Sequence, residues 1–417
     1  MLLVKIKLVM LNYKNIINVE PHKVMYQKDS NYREINIYKL NNVYLYGDKF
    51  YPNCLFSNDI DLINPSTERV MSLDRLKLDI PIQVINNELI INETPVFYFI
   101  YNTDNYYHFI YDTLPYLITY FELKKDIPKL KLLMNYPNFS KKNFYKFVSE
   151  FIDLLGIPSD DIIIDNNYRY KEIYISSSFT HGIDSNLPPR KEIYEFYKSI
   201  VDLVYAKSTI DLSKLPKKIY ISRRTWIHGD ISNIGTNYTN KRKFESEDKL
   251  VNFLKDEGFE EIFAENLSTI EKIIIFNNAE LVIGAIGGGL CNVLFGNNKL
   301  NLLCIVSPTF LDINYRFKYC FDRVNCFYYD ETFHTENGDY KKWMRVKHNS
   351  IVGEIEEIDQ YYLTIAYTDN VVAGWNSEIE YKKIKIKKEL CEPLDKGLNS
   401  SWDLNLNNLC QKIKQIQ

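Results

Sequence analysis

The chain reads as an α/β protein of two domains, the second built on a parallel, doubly wound sheet, with β-rich segments at both ends. Three observations predict this. The 417 residues are too many for one ordinary core. Between residues 218 and 306, short apolar strands alternate with amphipathic helical segments, as in parallel strands joined by crossovers. Residues 1–100, and those beyond 345, switch instead to short runs of β period.

The elements follow in order. The stretch 1–10 is apolar but interrupted by Lys5 and Lys7, and it lacks a small-residue cleavage site, so a first strand is expected there and not a signal peptide. Further β runs cover 34–38, 43–46, 80–85, 89–91 and 96–100, separated by Asn, Asp and Gly. From about 105 the pattern predicts a helix over 106–122, a strand at 131–134, a helix near 141–155, strands at 161–164 and 172–176, a polar stretch to Arg190, and a helix near 191–206. The segment 207–217, with Ser213 and Pro216, marks the domain boundary. The second domain opens on a strand at 218–222. A helix follows over 246–257, with Glu247 and Asp248 in its first turn and Gly258 as its stop. After a strand at 260–263, Ser268 and Glu271 form a capping box that opens a helix facing the core with Ile270, Ile273 and Ile274. A strand at 280–284 leads into a glycine-rich turn and a helix to about 296, then a strand at 301–306. Beyond 345, runs at 361–367 and 379–386 are expected to pair. The domains are therefore 1–206 (β-rich over 1–100, α/β over 101–206), 207–330, and a β-rich appendage and tail over 345–417.

The composition is 46% hydrophobic and 25% charged with a net charge of −3, an ordinary globular balance. No overall field recruits nucleic acid or an anionic membrane, so any anion site is local. The seven cysteines are scattered without a Cys-x-x-Cys pair and read as reduced thiols of a cytoplasmic protein. No charge-free apolar run reaches the roughly 18 residues of a membrane span, which leaves only peripheral association open. Tyr, Asn, Ile and Lys, whose codons are AT-rich, are abundant. A low-GC bacterium, or a large DNA virus acting in its host's cytoplasm, fits that bias.

Three places carry chemistry-bearing residues. Four of the 15 glycines lie in 284–289, in Gly284-Ala-Ile-Gly-Gly-Gly-Leu-Cys-Asn292. Gly287, Gly288 and Gly289 at a strand-to-helix turn suit close approach of a diphosphate to backbone N–H groups; close strand–helix packing is the plainer reading. The spacing is neither Gly-x-Gly-x-x-Gly nor a Walker loop, which disfavours a dehydrogenase or a kinase. Ser222-Arg223-Arg224 ends the first strand of the second domain, where open α/β sheets bind ligands, and Lys241-Arg242-Lys243 adds a further basic cluster. In Asn105-Tyr-Tyr-His-Phe-Ile-Tyr-Asp-Thr-Leu-Pro115, His108 and Asp112 share a helix face, and either is a candidate base toward a hydroxyl group. Tyr106, Tyr107, Phe109 and Tyr111 fit core packing or stacking on a ligand equally. The six dispersed histidines include no His-x-x-x-His pair, and Asp59-Ile-Asp61 lies in a turn-like stretch, so no metal site is expected.

Taken in this order, the motifs resemble glycosyltransferase family 61. The family's Asn-Tyr-x-His-x-x-x-(Asp/Glu)-x-Leu-Pro is matched by Asn105 to Pro115, and its Ser-Arg-Arg by Ser222 to Arg224. Its downstream Arg and Asn-Glu-x-Glu-Leu are matched by Arg242 and, in part, by Glu247 and Leu250. Its Glu after the next strand is matched by Glu265, and its Gly-x-His-Gly-Ala-Gly-Leu-x-Asn by Gly284 to Asn292, with Ile286 in place of His. The likeness covers roughly 35–310. It implies a GT-B-like architecture, two Rossmann-like domains facing across a cleft. It also implies an inverting, metal-independent transfer from a nucleotide sugar, with a UDP-sugar expected, to a glycan or glycoconjugate hydroxyl, and no cofactor. His108 or Asp112 would be the base; Arg223, Arg224, Arg242, Glu265, Gly287–Gly289 and Asn292 would bind the donor. A non-catalytic carbohydrate- or nucleotide-binding protein of the same fold is the alternative.

Overall fold

The computed structural model describes residues 18–27, 34–44, 55–56, 61–64, 69–72, 90–99, 103, 105–136, 143–164, 168–180, 190–224, 243–308, 325–335, 343–346, 352–367, 382–393 and 401–417. The expected first strand at 1–10, the run at 80–85 and Arg242 lie outside them. The chain divides into two compact units, Met1–Leu203 and Val204–Gln417.

The first unit is a mixed seven-stranded sheet. Asn18–Tyr26 (β1) and Ile35–Tyr44 (β2) form an antiparallel ribbon. Leu55–Phe56 (β3), Asp61–Asn64 (β4) and Arg69–Ser72 (β5) make a small antiparallel sheet of their own. Ile91–Asn92 (β6), Val96–Tyr98 (β7), Lys131–Met134 (β8), Ile162–Ile164 (β9) and Arg169–Ser176 (β10) complete the main sheet, in the order β1-β2-β10-β7-β8-β9 with β6 beside β10. The helices Tyr116–Asp126 (α1), Lys146–Leu154 (α2) and Glu192–Lys207 (α3) connect or follow these strands. The β-rich and α/β portions of 1–206 therefore share one sheet. Strand β10 is the seam: it runs antiparallel to β2 and parallel to β7. Apolar side chains of β7, β8 and β10, among them Phe97, Leu132, Leu133 and Ile173, are buried in the core.

The second unit holds a wholly parallel five-stranded sheet of Lys218–Ile221 (β11), Glu260–Ile262 (β12), Leu281–Ala285 (β13), Asn301–Ile305 (β14) and Asn325–Tyr329 (β15), ordered β12-β11-β13-β14-β15. Helices Glu247–Asp256 (α4) and Thr269–Asn278 (α5) are the first two crossovers. α4 stops at Gly258, whose φ of +82° only glycine adopts without strain. α5 opens with the expected Ser268/Glu271 capping box.

The end of the chain departs from expectation. Thr332–His334 (β16) pairs with Trp402–Leu404 (β22), while Trp343–Val346 (β17), Val352–Ile358 (β18), Tyr362–Tyr367 (β19), Lys382–Lys387 (β20) and Cys391–Pro393 (β21) form an antiparallel sheet that includes the expected β19–β20 pair. The tail is not part of that appendage. Trp402, Leu404, and Leu409 and Ile413 of helix Leu406–Ile416 (α6) pack into the core of the parallel sheet with Tyr220, Phe244, Leu250 and Leu303. The reason is apolar periodicity: Leu409 and Ile413, four apart, form a stripe that only a core can cover.

Candidate active site

In the first unit, Asn105 begins the site. Its side chain accepts the backbone N–H of His108 and caps a single α-turn, Tyr106–His108. The chain then widens into a π-turn over Phe109–Thr113, closed by Leu114 N–H donating to the Phe109 carbonyl. The continuous helix expected over 106–122 is thus interrupted, and α1 starts only at Tyr116. Such π-turns recur at functional sites. Tyr197 on α3 donates its hydroxyl to the Ile110 carbonyl at 2.5 Å and so pins the turn. Tyr106, Tyr107, Phe109 and Tyr111 are all buried, which assigns them to the core and removes them as stacking platforms.

The π-turn sets two side chains against each other. His108 Nδ1 lies 2.7 Å from Asp112 Oδ2, and the other carboxylate oxygen accepts the Thr180 hydroxyl, also at 2.7 Å. Asp112 is fully buried, whereas the His108 side chain is 28% exposed. A buried carboxylate accepting from both sides makes Nδ1 the donor, which leaves Nε2 as the acceptor of the imidazole. Thr180, just past the carboxyl end of β10, belongs to this network and was missed in the sequence. Nothing local marks a residue 68 positions from its partner.

In the second unit the strand order decides the geometry. From β11 the chain passes outward to β12 and then back to β13 on the other side of β11. Open α/β sheets take their ligands at such a reversal, beyond the carboxyl ends of the two strands, here β11 and β13. Arg223 follows β11. Its Nη1 donates to the Ile286 carbonyl at 3.1 Å and lies 3.8 Å from where a Cβ on Gly287 would sit. Two of the expected site elements therefore meet. Burial pulls the Arg223 pKa down, while the nearby Glu247 carboxylate pushes it back up. Glu247 is itself buried. Its Oε1 accepts the Arg223 backbone N–H at 2.7 Å and the Tyr220 hydroxyl at 2.9 Å. Burial raises the Glu247 carboxyl above the ordinary carboxylate range, against the pull of those donors.

The glycines of the turn serve different ends, and none of them adopts the left-handed region. A Cβ on Gly289 would meet Ile221 Cγ2 at 2.9 Å and Ala264 Cβ at 3.3 Å, and one on Gly284 would meet Ile221 and Leu290 at 3.1 Å. These two are packing devices. Gly287 borders Arg223. The helix expected after the turn is only a six-residue 3₁₀ segment, Leu290–Phe295, too short to act as a dipole. Asn292 is fully buried, its Nδ2 donating to the Gly289 carbonyl at 2.8 Å, so it braces the turn from inside. Ile286, where the motif has His, is buried and meets Arg223 through its carbonyl. Arg224 is committed elsewhere: it forks onto Glu261 with bonds of 2.7–2.9 Å and reaches Asp248 at 2.6 Å. Glu265 sits half-buried in a 3₁₀ turn after β12, beside the packing contact between Ala264 and Gly289. Among the described residues no three His, Cys, Asp or Glu side chains gather in a metal-binding group, and no helix is long and apolar enough to cross a membrane.

The family model described as Glycosyltransferase 61 matches residues 106–303, a little under half of the chain. The chain carries a glycosyltransferase 61 domain. It is a glycosyltransferase, and the match runs from the His108 turn through Arg223 and the glycine-rich turn into β14. No curated protein matches the chain. The enzyme's last 17 residues, though outside the matched segment, help to build the core of the parallel sheet.

Proposed function

We propose that this glycosyltransferase moves a sugar from a nucleotide-sugar donor, a UDP-sugar in the first instance, to a hydroxyl group of a glycan or glycoconjugate, with inversion and without a metal ion. In this reading the two units take the roles of a GT-B enzyme, the first receiving the acceptor and the second the donor. His108 is the base. Its Nε2 takes the proton of the attacking hydroxyl, while Asp112, oriented by Thr180, holds the opposite N–H and stabilises the imidazolium that forms. The acceptor oxygen bonds to the anomeric carbon as the bond to the diphosphate oxygen breaks, and the electron pair leaves with the diphosphate. Arg223 and the backbone of Gly287 and Gly288 meet that charge, the task of a metal in other enzymes. Glu265 contacts the ribose or base of the nucleotide, and Arg242 is assigned to donor binding.

The observation that carries this reading is the Arg223 guanidinium beside Gly287 at the switch point of the parallel sheet. The test is a panel of nucleotide sugars in the presence of EDTA with a broad set of glycan acceptors. Release of nucleoside diphosphate that depends on acceptor, with the anomeric configuration inverted in the product, is the expected result. Binding without turnover would make the chain a non-catalytic sugar-nucleotide binder, and activity abolished by EDTA would overturn the metal-free mechanism.

A further inference from the structure

Arg223 follows β11 in a loop, and a loop by itself holds a guanidinium poorly. The Ile286 carbonyl holds the guanidinium at 3.1 Å, and the first turn of α4 holds the backbone that carries it. Glu247 lies at the start of that helix, and one carboxylate oxygen takes both the Arg223 N–H at 2.7 Å and the Tyr220 hydroxyl at 2.9 Å, so strand end and helix start are tied through one buried atom. Its other oxygen, also buried, has no hydrogen-bond partner among the described residues. The side chain is thus committed to this junction and is not presented to solvent. The helix start is anchored in turn by the chain's end: Phe244 stacks on Trp402 with ring centroids 4.7 Å apart, and Ser246 donates its hydroxyl to Asp403 at 2.8 Å.

We infer that Glu247 is a positioning residue for the donor diphosphate, holding the Arg223 backbone so that the guanidinium lies against Gly287. The inference rests on the donor-site reading of Arg223, and the following experiment separates the two. Binding of UDP and of GDP is measured by calorimetry on the wild type and on Arg223→Ala, Glu247→Ala, Glu247→Asp, Glu247→Gln and Tyr220→Phe. Arg223→Ala and Glu247→Ala weaken binding about tenfold or more, the scale of one charge-assisted bond. Glu247→Asp, which keeps the charge but withdraws the oxygen by one methylene, weakens it measurably and serves if the alanine variant does not fold. Glu247→Gln keeps an oxygen acceptor and restores most of the affinity. Tyr220→Phe breaks the other bond to the same oxygen and weakens binding less than Glu247→Ala does. In turnover, the Glu247 variants raise the donor KM and leave the acceptor KM unchanged. Wild-type affinity in Glu247→Ala or Glu247→Asp, with affinity lost in Arg223→Ala, overturns the positioning role alone. Full affinity in Arg223→Ala, or no binding of either nucleotide by the wild type, overturns the donor-site reading and this inference with it.

Discussion

The two units build their sites in opposite ways. In the first, the site is made of side chains: a partly exposed imidazole backed by a buried carboxylate and a buried hydroxyl, held at 2.7 Å each. In the second it is made mostly of space and backbone: one arginine, a glycine whose missing Cβ borders it, and a carbonyl. The difference follows from the two tasks proposed for them. Moving a proton needs one titratable group with a fixed tautomer. Holding a diphosphate needs donors and room, which a bare backbone supplies.

That contrast is open to direct attack. The largest expected effect is at the first site. His108→Ala is expected to lower kcat by about 10²- to 10⁴-fold, the usual contribution of a positioned base, while leaving UDP affinity unchanged; Asp112→Asn acts in the same direction by freeing the ring's tautomer. Full turnover in both variants would place the base elsewhere. Next is Arg223→Ala, expected to cost about 1.5–3 kcal/mol of nucleoside diphosphate binding, read as a lost thermal shift, with the melting temperature of the free protein little changed. Gly289→Ala comes third. Its new methyl group would press on Ile221 and Ala264, so chemical denaturation should report a loss of about 1–3 kcal/mol in stability. Smallest is the stability effect of Gly287→Ala, within about 0.5 kcal/mol, since the nearest atom to the new carbon is Arg223 Nη1 at 3.8 Å. If that variant still weakens UDP binding, the division of the glycines into packing and binding members stands. If Gly287→Ala unfolds the protein while Gly289→Ala is silent, the division is reversed.

Neighbouring residues of one motif also part company. Arg223 and Arg224 are adjacent, yet one points its guanidinium at the glycine turn and the other forks onto Glu261. The partners decide it: a backbone carbonyl of the glycine turn takes one guanidinium, and the carboxylates of Glu261 and Asp248 take the other.

The sequence by itself determined the elements whose signals are local. The strands of the parallel sheet, the Ser268/Glu271 cap, the Gly258 stop and the pairing of His108 with Asp112 each depend on residues within one turn or one run. The resemblance to glycosyltransferase family 61 was legible in the same way, from short motifs in a fixed order. Tertiary structure alone decided what depends on distant partners. It brought Thr180 to Asp112, set Glu247 under Arg223, joined the β-rich and α/β parts of the first unit through β10, and returned Trp402 and α6 to the core of the second. It also separated glycines that look alike in sequence, because a missing side chain acquires meaning only from the atoms that would have met it.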